Sequence, residues 1–271
     1  MNTTSLPRPN SPPRVLFAGD REIAVQVLDF LLDHEVEVVG LLLPAVDQAS
    51  HSSELRERCS FLPRDSILKP DLFEKPQLTE KISSLNPDFL LSVHFQSLFP
   101  PSLLEIPEVA ALNLHPAYLP YNRGWHTPSW ALLEDTPFGA TLHVMTDKLD
   151  AGPIVHRKTI DVRPEDTAHT LYQRVQELEL KVFTEAWPAL CEGSASPKIP
   201  DSEGTAHTVS DLHTPDVQRI DLEETTRAGC LLDRLRALTT NRIDEAAYFE
   251  RNGKRYRVQV SIVPDSDNPT D

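Results

Sequence analysis

Apolar positions along this chain fall into short continuous runs separated by stretches of helical period. Arg14 to Ala18 (RVLFA) is nearly all apolar and ends at Gly19, the pattern of a strand buried on both faces. Ile23, Ala24, Val27, Leu28 and Leu31 then recur three or four residues apart, which predicts an amphipathic helix over Asp20 to His34. A second β-rich run, Val36 to Pro44, completes a strand-helix-strand unit. Further on, Leu78, Ile82 and Leu85 predict one helix face. Asp88 to Val93, Val109 to Leu114, Ala140 to Met145 and Ile154 to Val162 predict four strands. Asp166 or Thr167 stands where a cap is needed ahead of the stripe Leu171, Val175, Leu178, Val182 and Ala186. That long helix is predicted to stop at Trp187-Pro188. Strands alternating with helices imply an α/β fold with a mostly parallel sheet covered on both faces. Ligands of such sheets sit at the carboxyl ends of strands, which is where Asn113 and His115 fall.

A Pro/Ser/Gly-rich link, Glu192 to Gly204, marks a boundary. Beyond it Leu222 to Leu238 is predicted helical, and Asn252-Gly253 signals a type I′ hairpin turn. Folding there pairs Arg251 with Lys254, Glu250 with Arg255, Phe249 with Tyr256 and Ala247 with Val258. The predicted organisation is a disordered tail over 1–13, a catalytic domain over 14–196, a C-terminal extension with the hairpin over 197–264, and a tail over 265–271. A lone hairpin is marginal in water, so it must dock on its own chain or on a second copy. A homodimer through this region is therefore expected.

Charge narrows the partners. The chain's 26 basic and 41 acidic residues give a formal net charge of −15, which argues against a nucleic-acid partner. Cys59, Cys191 and Cys230 are scattered and odd in number, so free thiols in a reducing cytoplasm are expected. No apolar run of ~18 residues marks a membrane span, and no membrane association is expected.

The chemistry concentrates in residues 113–152. An amide (Asn113), an imidazole (His115) and a carboxylate (Asp150) together stabilise an oxyanion and move protons, as acyl transfer requires. Each also has a structural reading: Asn113 as a turn residue before Pro116, Asp150-x-Gly152 as a tight turn, and His143 as a core histidine. Gly19 and Arg21 flank a strand-helix junction suited to an anion, although neither GxGxxG nor GxxxxGK[ST] is present. In the loop YNRGWHTPSW, Arg123, Gly124, Trp125 and His126 suit a diphosphate beside a ring, whereas Trp130 reads better as a packing anchor. Ten histidines show no HExxH and no cysteine partner, so no catalytic metal is expected.

Asn113-Leu-His115-Pro, Leu119-Pro120…Arg123-Gly124, Gly139-Ala-Thr141-Leu-His143 and Leu149-Asp150-Ala-Gly152 closely resemble the 10-formyltetrahydrofolate-dependent formyltransferases. The resemblance spans most of Arg14 to Pro188. PYNRGWHTPSW and the segment Leu235 to Phe249 resemble the nucleotide-sugar N-formyltransferase branch. The resemblance implies a Rossmann-like catalytic domain with Asn113, His115 and Asp150 as catalytic trio and N10-formyltetrahydrofolate as co-substrate. It places the pterin against His94, Phe95, Gln96 and Leu98, and against Met145, Thr146, Asp147 and Leu149. The implied acceptor is a dTDP-linked amino-dideoxy sugar for surface polysaccharide, with dTDP-4-amino-4,6-dideoxyglucose the first choice. Alternatives are a 3-amino-3,6-dideoxyhexose, or a non-catalytic folate or nucleotide-sugar binder. A methionyl-tRNA formyltransferase would be expected to carry a basic C-terminal domain. In the implied chemistry Asn113 and a protonated His115, kept charged by Asp150, stabilise the alkoxide.

Overall fold

β1 (Arg14–Gly19) is buried from Val15 onward, and α1 (Arg21–Asp33) turns Ile23, Ala24, Val27, Leu28 and Leu31 into the core beside it. β2 (Glu37–Leu42) returns parallel to β1, closing the expected strand-helix-strand unit. The structure is a computed structural model that describes residues 5–45, 49–70, 73, 76–202 and 204–265. The chain continues through α2 (Ser52–Arg58), β3 (Ile67–Leu68), α3 (Pro76–Ser84), β4 (Phe89–Val93), α4 (Pro101–Leu104) and β5 (Ala110–His115). Next come β6 (Arg123–Gly124), α5 (Thr127–Glu134), β7 (Gly139–Val144), β8 (Ile154–Thr159) and α6 (Ala168–Glu192).

The central sheet has the order β3-β2-β1-β4-β5-β7-β8. β3 through β5 pair in parallel, whereas β5, β7 and β8 pair antiparallel. The short β7–β8 connection has no room for the crossover that a parallel pair needs. β1 lies between β2 and β4, so the chain leaves it to one side and returns on the other. A crevice opens at the carboxyl ends of strands at such a reversal. Phe17, Phe89, Phe183 and Trp187 anchor the larger core, which α1 and α6 cover. Leu16, Leu42, Leu78, Ile82, Leu90 and Leu103 form a smaller core on the opposite face.

Three sequence expectations need correction. Residues 5–13 are tied down rather than disordered: Leu6 N donates to the Ala195 carbonyl at 2.8 Å, and Asn10 Nδ2 donates to Asp88 Oδ1 at 2.8 Å. α6 starts at the expected Thr167 cap, in a reciprocal box with Thr170, but passes through Pro188 to Glu192. The missing N–H of Pro188 costs one helical bond, and burial of Trp187 and Leu190 outweighs it. The predicted helix over 222–238 forms only as α8 (Ala228–Ala237), because Asp221 folds back and its Oδ1 accepts Glu223 N at 3.0 Å.

The C-terminal part comprises β9 (Ala206–His207), which pairs with β6, then α7 (Pro215–Gln218), α8 and the hairpin β10 (Ala247–Arg251) and β11 (Lys254–Val258). The hairpin has the expected register, with Asn252 and Gly253 both at positive φ. Trp130, Leu212, Leu238 and Ala247 seal this part onto α5. Among the described residues no helix is long and apolar enough to cross a membrane.

Candidate active site

Asn113 and His115 are two apart on β5, so both side chains leave the same face of the sheet. Parallel pairing sets Ser92 beside Asn113 and Val93 beside Leu114, while antiparallel pairing sets His143 across from Asn113. Asp150 arrives from the β7–β8 loop, where Gly124 N donates to its Oδ2 at 2.9 Å. Gly152 lets that loop close: a Cβ there would fall 1.8 Å from the Val144 carbonyl oxygen. The structure thus brings the expected trio together, although Asp150 is 37 residues from Asn113 in sequence.

Asn113 Nδ2 lies 3.2 Å from His143 Nε2 and 3.4 Å from Asp150 Oδ1. His143 Nδ1 is 3.0 Å from the Val144 carbonyl, so the ring donates there, and its Nε2 faces both the Asn113 amide and Asp150 Oδ1, the latter at 3.5 Å. His115 Nε2 is buried, lacks a hydrogen-bond partner among the described residues and stands 3.5 Å from Asp150 Oδ2. Burial pushes the His115 imidazole below its ordinary value, more than Asp150 and the Asn122 backbone raise it. The pull of Asp150 toward an imidazolium, which the sequence reading relied on, is thus the smaller of the two effects on His115. Burial alone would raise the Asp150 carboxyl. His115, His143 and the Gly124 amide outweigh it and hold Asp150 well below the usual carboxylate range.

These groups form the floor of a cavity of about 790 Å³. On the face of the smaller core its wall is largely apolar, with Phe95, Phe99, Leu104 and Met145, joined by Gln96, Leu98, Thr146, Asp147 and Leu149. Toward α1 and α6 the wall is polar, with Arg21, Ser50, His51, Tyr172 and Gln176. Trp125, His126 and the C-terminal segment Thr240–Arg242 with Glu245 complete the lining.

All of the predicted site residues but Gly19 and Arg123 therefore line one cavity. His94 borders it, but its Nδ1 is 2.9 Å from the Tyr172 hydroxyl and its Nε2 2.7 Å from Glu179 Oε1, so no ring nitrogen is left for a pterin. Gly19 is a packing residue, since a Cβ would lie 2.7 Å from the Ala24 Cβ. Arg123 braces the loop from outside the lining, its guanidinium donating to the Leu149 and Gly204 carbonyls at 3.4 Å each. Trp130 is the packing anchor expected, stacked on His207 at 3.8 Å.

Sequence reasoning left out Tyr172, Gln176, Ser50, His51, Asn241, Arg242 and Glu245. His143, a polar residue inside an apolar strand, is visible in the sequence, as a core histidine and in the Gly139–His143 motif. His126, His213 and Glu245 form a group whose ligand-type atoms lie within 4.8 Å of one another. The Arg242 guanidinium stands 3.4 Å from Glu245 Oε1 and already offers that carboxylate a positive partner.

A family model described as formyl transferase matches residues 14–187, which takes in the whole sheet and the trio. The chain belongs to this family. A second model, the N-formyltransferase dimerization C-terminal domain, matches residues 214–264. The dTDP-4-amino-4,6-dideoxyglucose formyltransferase of Mycobacterium tuberculosis is 32% identical over 178 residues, covering 66% of this chain and 74% of its own. The methionyl-tRNA formyltransferase of Bacillus subtilis is 26% identical over 255 residues, covering 92% of this chain and 78% of its own. The crystal structure of a 4-N formyltransferase from Francisella tularensis superposes with a TM-score of 0.79 at 24% identity, covering 94% of this chain and 100% of that one. That likeness establishes the shared fold of this formyltransferase.

Proposed function

We propose that this formyltransferase moves a formyl group from N10-formyltetrahydrofolate to the amino group of a dTDP-linked amino-dideoxy sugar. dTDP-4-amino-4,6-dideoxyglucose is the first choice of acceptor and a 3-amino-3,6-dideoxyhexose the alternative. The observation that carries this reading is the unpartnered, buried His115 Nε2 beside Asp150, at the floor of a cavity with one apolar and one polar wall. The apolar wall fits a flat pterin, and the polar wall fits a charged, hydroxyl-rich acceptor. The name of the M. tuberculosis relative supports the sugar.

The residues then divide the work. A neutral amine attacks the formyl carbon, forming the new N–C bond, and His115 Nε2 takes the proton that the nitrogen must lose. One Asn113 N–H leaves its weak 3.4 Å contact with Asp150 for the developing oxyanion. Asp150 stabilises the imidazolium once it forms. The imidazolium returns its proton to N10 as the old C–N bond breaks and tetrahydrofolate leaves.

The net charge of −15 speaks against the tRNA acceptor of the B. subtilis relative. We assign dimerisation to the hairpin, with the enzyme working in the cytoplasm and its product serving surface polysaccharide. Tetrahydrofolate release is to be measured with a dTDP-amino-sugar panel, with charged initiator tRNA and with no acceptor. Release requiring a dTDP-amino sugar supports the reading. Release with tRNA, or equally without an acceptor, replaces it with the tRNA enzyme or a hydrolase.

A further inference from the structure

Glu179 lies on α6, wholly buried, 85 residues from its partner His94. Its Oε1 is 2.7 Å from His94 Nε2, and its Oε2 has no partner among the described residues. His94 sits at φ +51 one residue past β4, so its backbone aims the ring away from the strand axis toward α6. There Nδ1 meets the Tyr172 hydroxyl at 2.9 Å. Glu179, His94 and Tyr172 thus form a hydrogen-bonded line that ends on the polar wall of the cavity. Burying a carboxylate and an imidazole costs stability unless they are paired, and the catalytic trio makes no use of this pair.

The line has a direction. Burial pushes the Glu179 carboxyl up and His94 opposes that shift; with Glu179 ionised, its Oε1 accepts, His94 donates from Nε2 and Nδ1 is left as an acceptor. Tyr172, which lines the cavity, then spends its O–H on Nδ1, and its oxygen keeps only lone pairs for a second partner. Burial, with Glu179 nearby, pushes the Tyr172 phenol up, so it keeps the proton that it donates. Asp20 and Arg21 face Tyr172 from the β1–α1 junction, and His115 stands beside His94 on the next strand.

We propose that Tyr172 is an acceptor-recognition residue, its oxygen accepting a hydrogen bond from a sugar hydroxyl, with His94 and Glu179 as positioning residues that fix its polarity. This deepens the proposed function and rests on it. A site built to hydrogen-bond a hydroxyl rejects analogues lacking it, because the buried partner is then left unpaired.

The test uses the full chain with dTDP-4-amino-4,6-dideoxyglucose and N10-formyltetrahydrofolate. Tyr172→Phe is expected to raise the acceptor KM about tenfold, leaving the folate KM unchanged and kcat near wild type. Glu179→Gln is expected to raise the acceptor KM alone, and to add nothing in the Tyr172→Phe background. Nitrogen NMR of the imidazoles is expected to find His94 protonated at Nε2. An unchanged acceptor KM in Tyr172→Phe, additive effects in the double variant, or a His94 proton on Nδ1 would each overturn the assignment. Failure of the functional reading shows separately, as a wild-type enzyme that turns over no dTDP-amino sugar. The same comparison then runs with whichever amine is formylated.

Discussion

Gly124 holds Asp150 through its N–H while its own backbone, at φ +89, is wedged against β9. A Cβ at this position would lie 2.2 Å from the His207 carbonyl oxygen and 3.3 Å from a Leu149 methyl. The first contact is with backbone, so no rotamer relieves it and β6 must part from β9 by more than an ångström. Left-handed backbone costs alanine a further ~1–2 kcal/mol, and a hydrogen bond to a charged carboxylate is worth roughly 1.5–3 kcal/mol. Gly124→Ala is therefore expected to lose about 3 kcal/mol of stability. Displacing Asp150 by about 1 Å is expected to cost about 10²-fold in kcat/KM. Thermal unfolding and steady-state kinetics measure both. Gly229→Ala is the matched control: on α8 a Cβ meets nothing within 4 Å, and the variant is expected to equal wild type or gain up to ~1 kcal/mol. A Gly124→Ala enzyme with wild-type Tm and kcat/KM would refute the claim that this glycine sets the position of the carboxylate.

Four further expectations follow from the structure. Asn113→Ala, His115→Ala and Asp150→Ala should each abolish turnover while sparing nucleotide-sugar binding by calorimetry; near wild-type kcat removes that residue from the mechanism. Because burial lowers the His115 value and the neutral ring is the base, kcat/KM should fall with decreasing pH only below about 6.5. An acid limb above that pH contradicts a neutral resting imidazole. Among the thiols, exposed Cys230 should react with a disulfide reagent at neutral pH, Cys191 should react slowly with its value pushed up to about 11, and buried Cys59, pushed up to about 12, should react only after unfolding. Replacing Tyr256, exposed on the hairpin, by Glu should shift a light-scattering mass from dimer to monomer; a wild type already monomeric at micromolar concentration removes the dimer.

Local pattern was enough for some features because the forces behind them act between near neighbours. Asn252-Gly253 specifies its turn, and the turn sets the hairpin register. Alternation on β5 places Asn113 and His115 on one face, and continuous apolar runs announce a sheet covered on both sides. Helix ends were less legible. Packing of Trp187 and Leu190 carries α6 through Pro188, and an Asp221 turn delays α8. These outcomes depend on neighbours that propensity does not contain.

The site divides the same way. Its motif residues were readable at Asn113, His115 and Asp150. The direction in which the His115 imidazole shifts was not, since burial outweighs the nearby carboxylate only once the fold encloses the ring. Nor did any spacing announce that Glu179 claims His94, or that residues 240–245 help line the cavity. Short-range periodicity writes the strands, the turn and the trio into the chain. Long-range packing sets the direction of the hydrogen bonds and the polar side of the cleft, because those depend on which distant side chains share a dry interior.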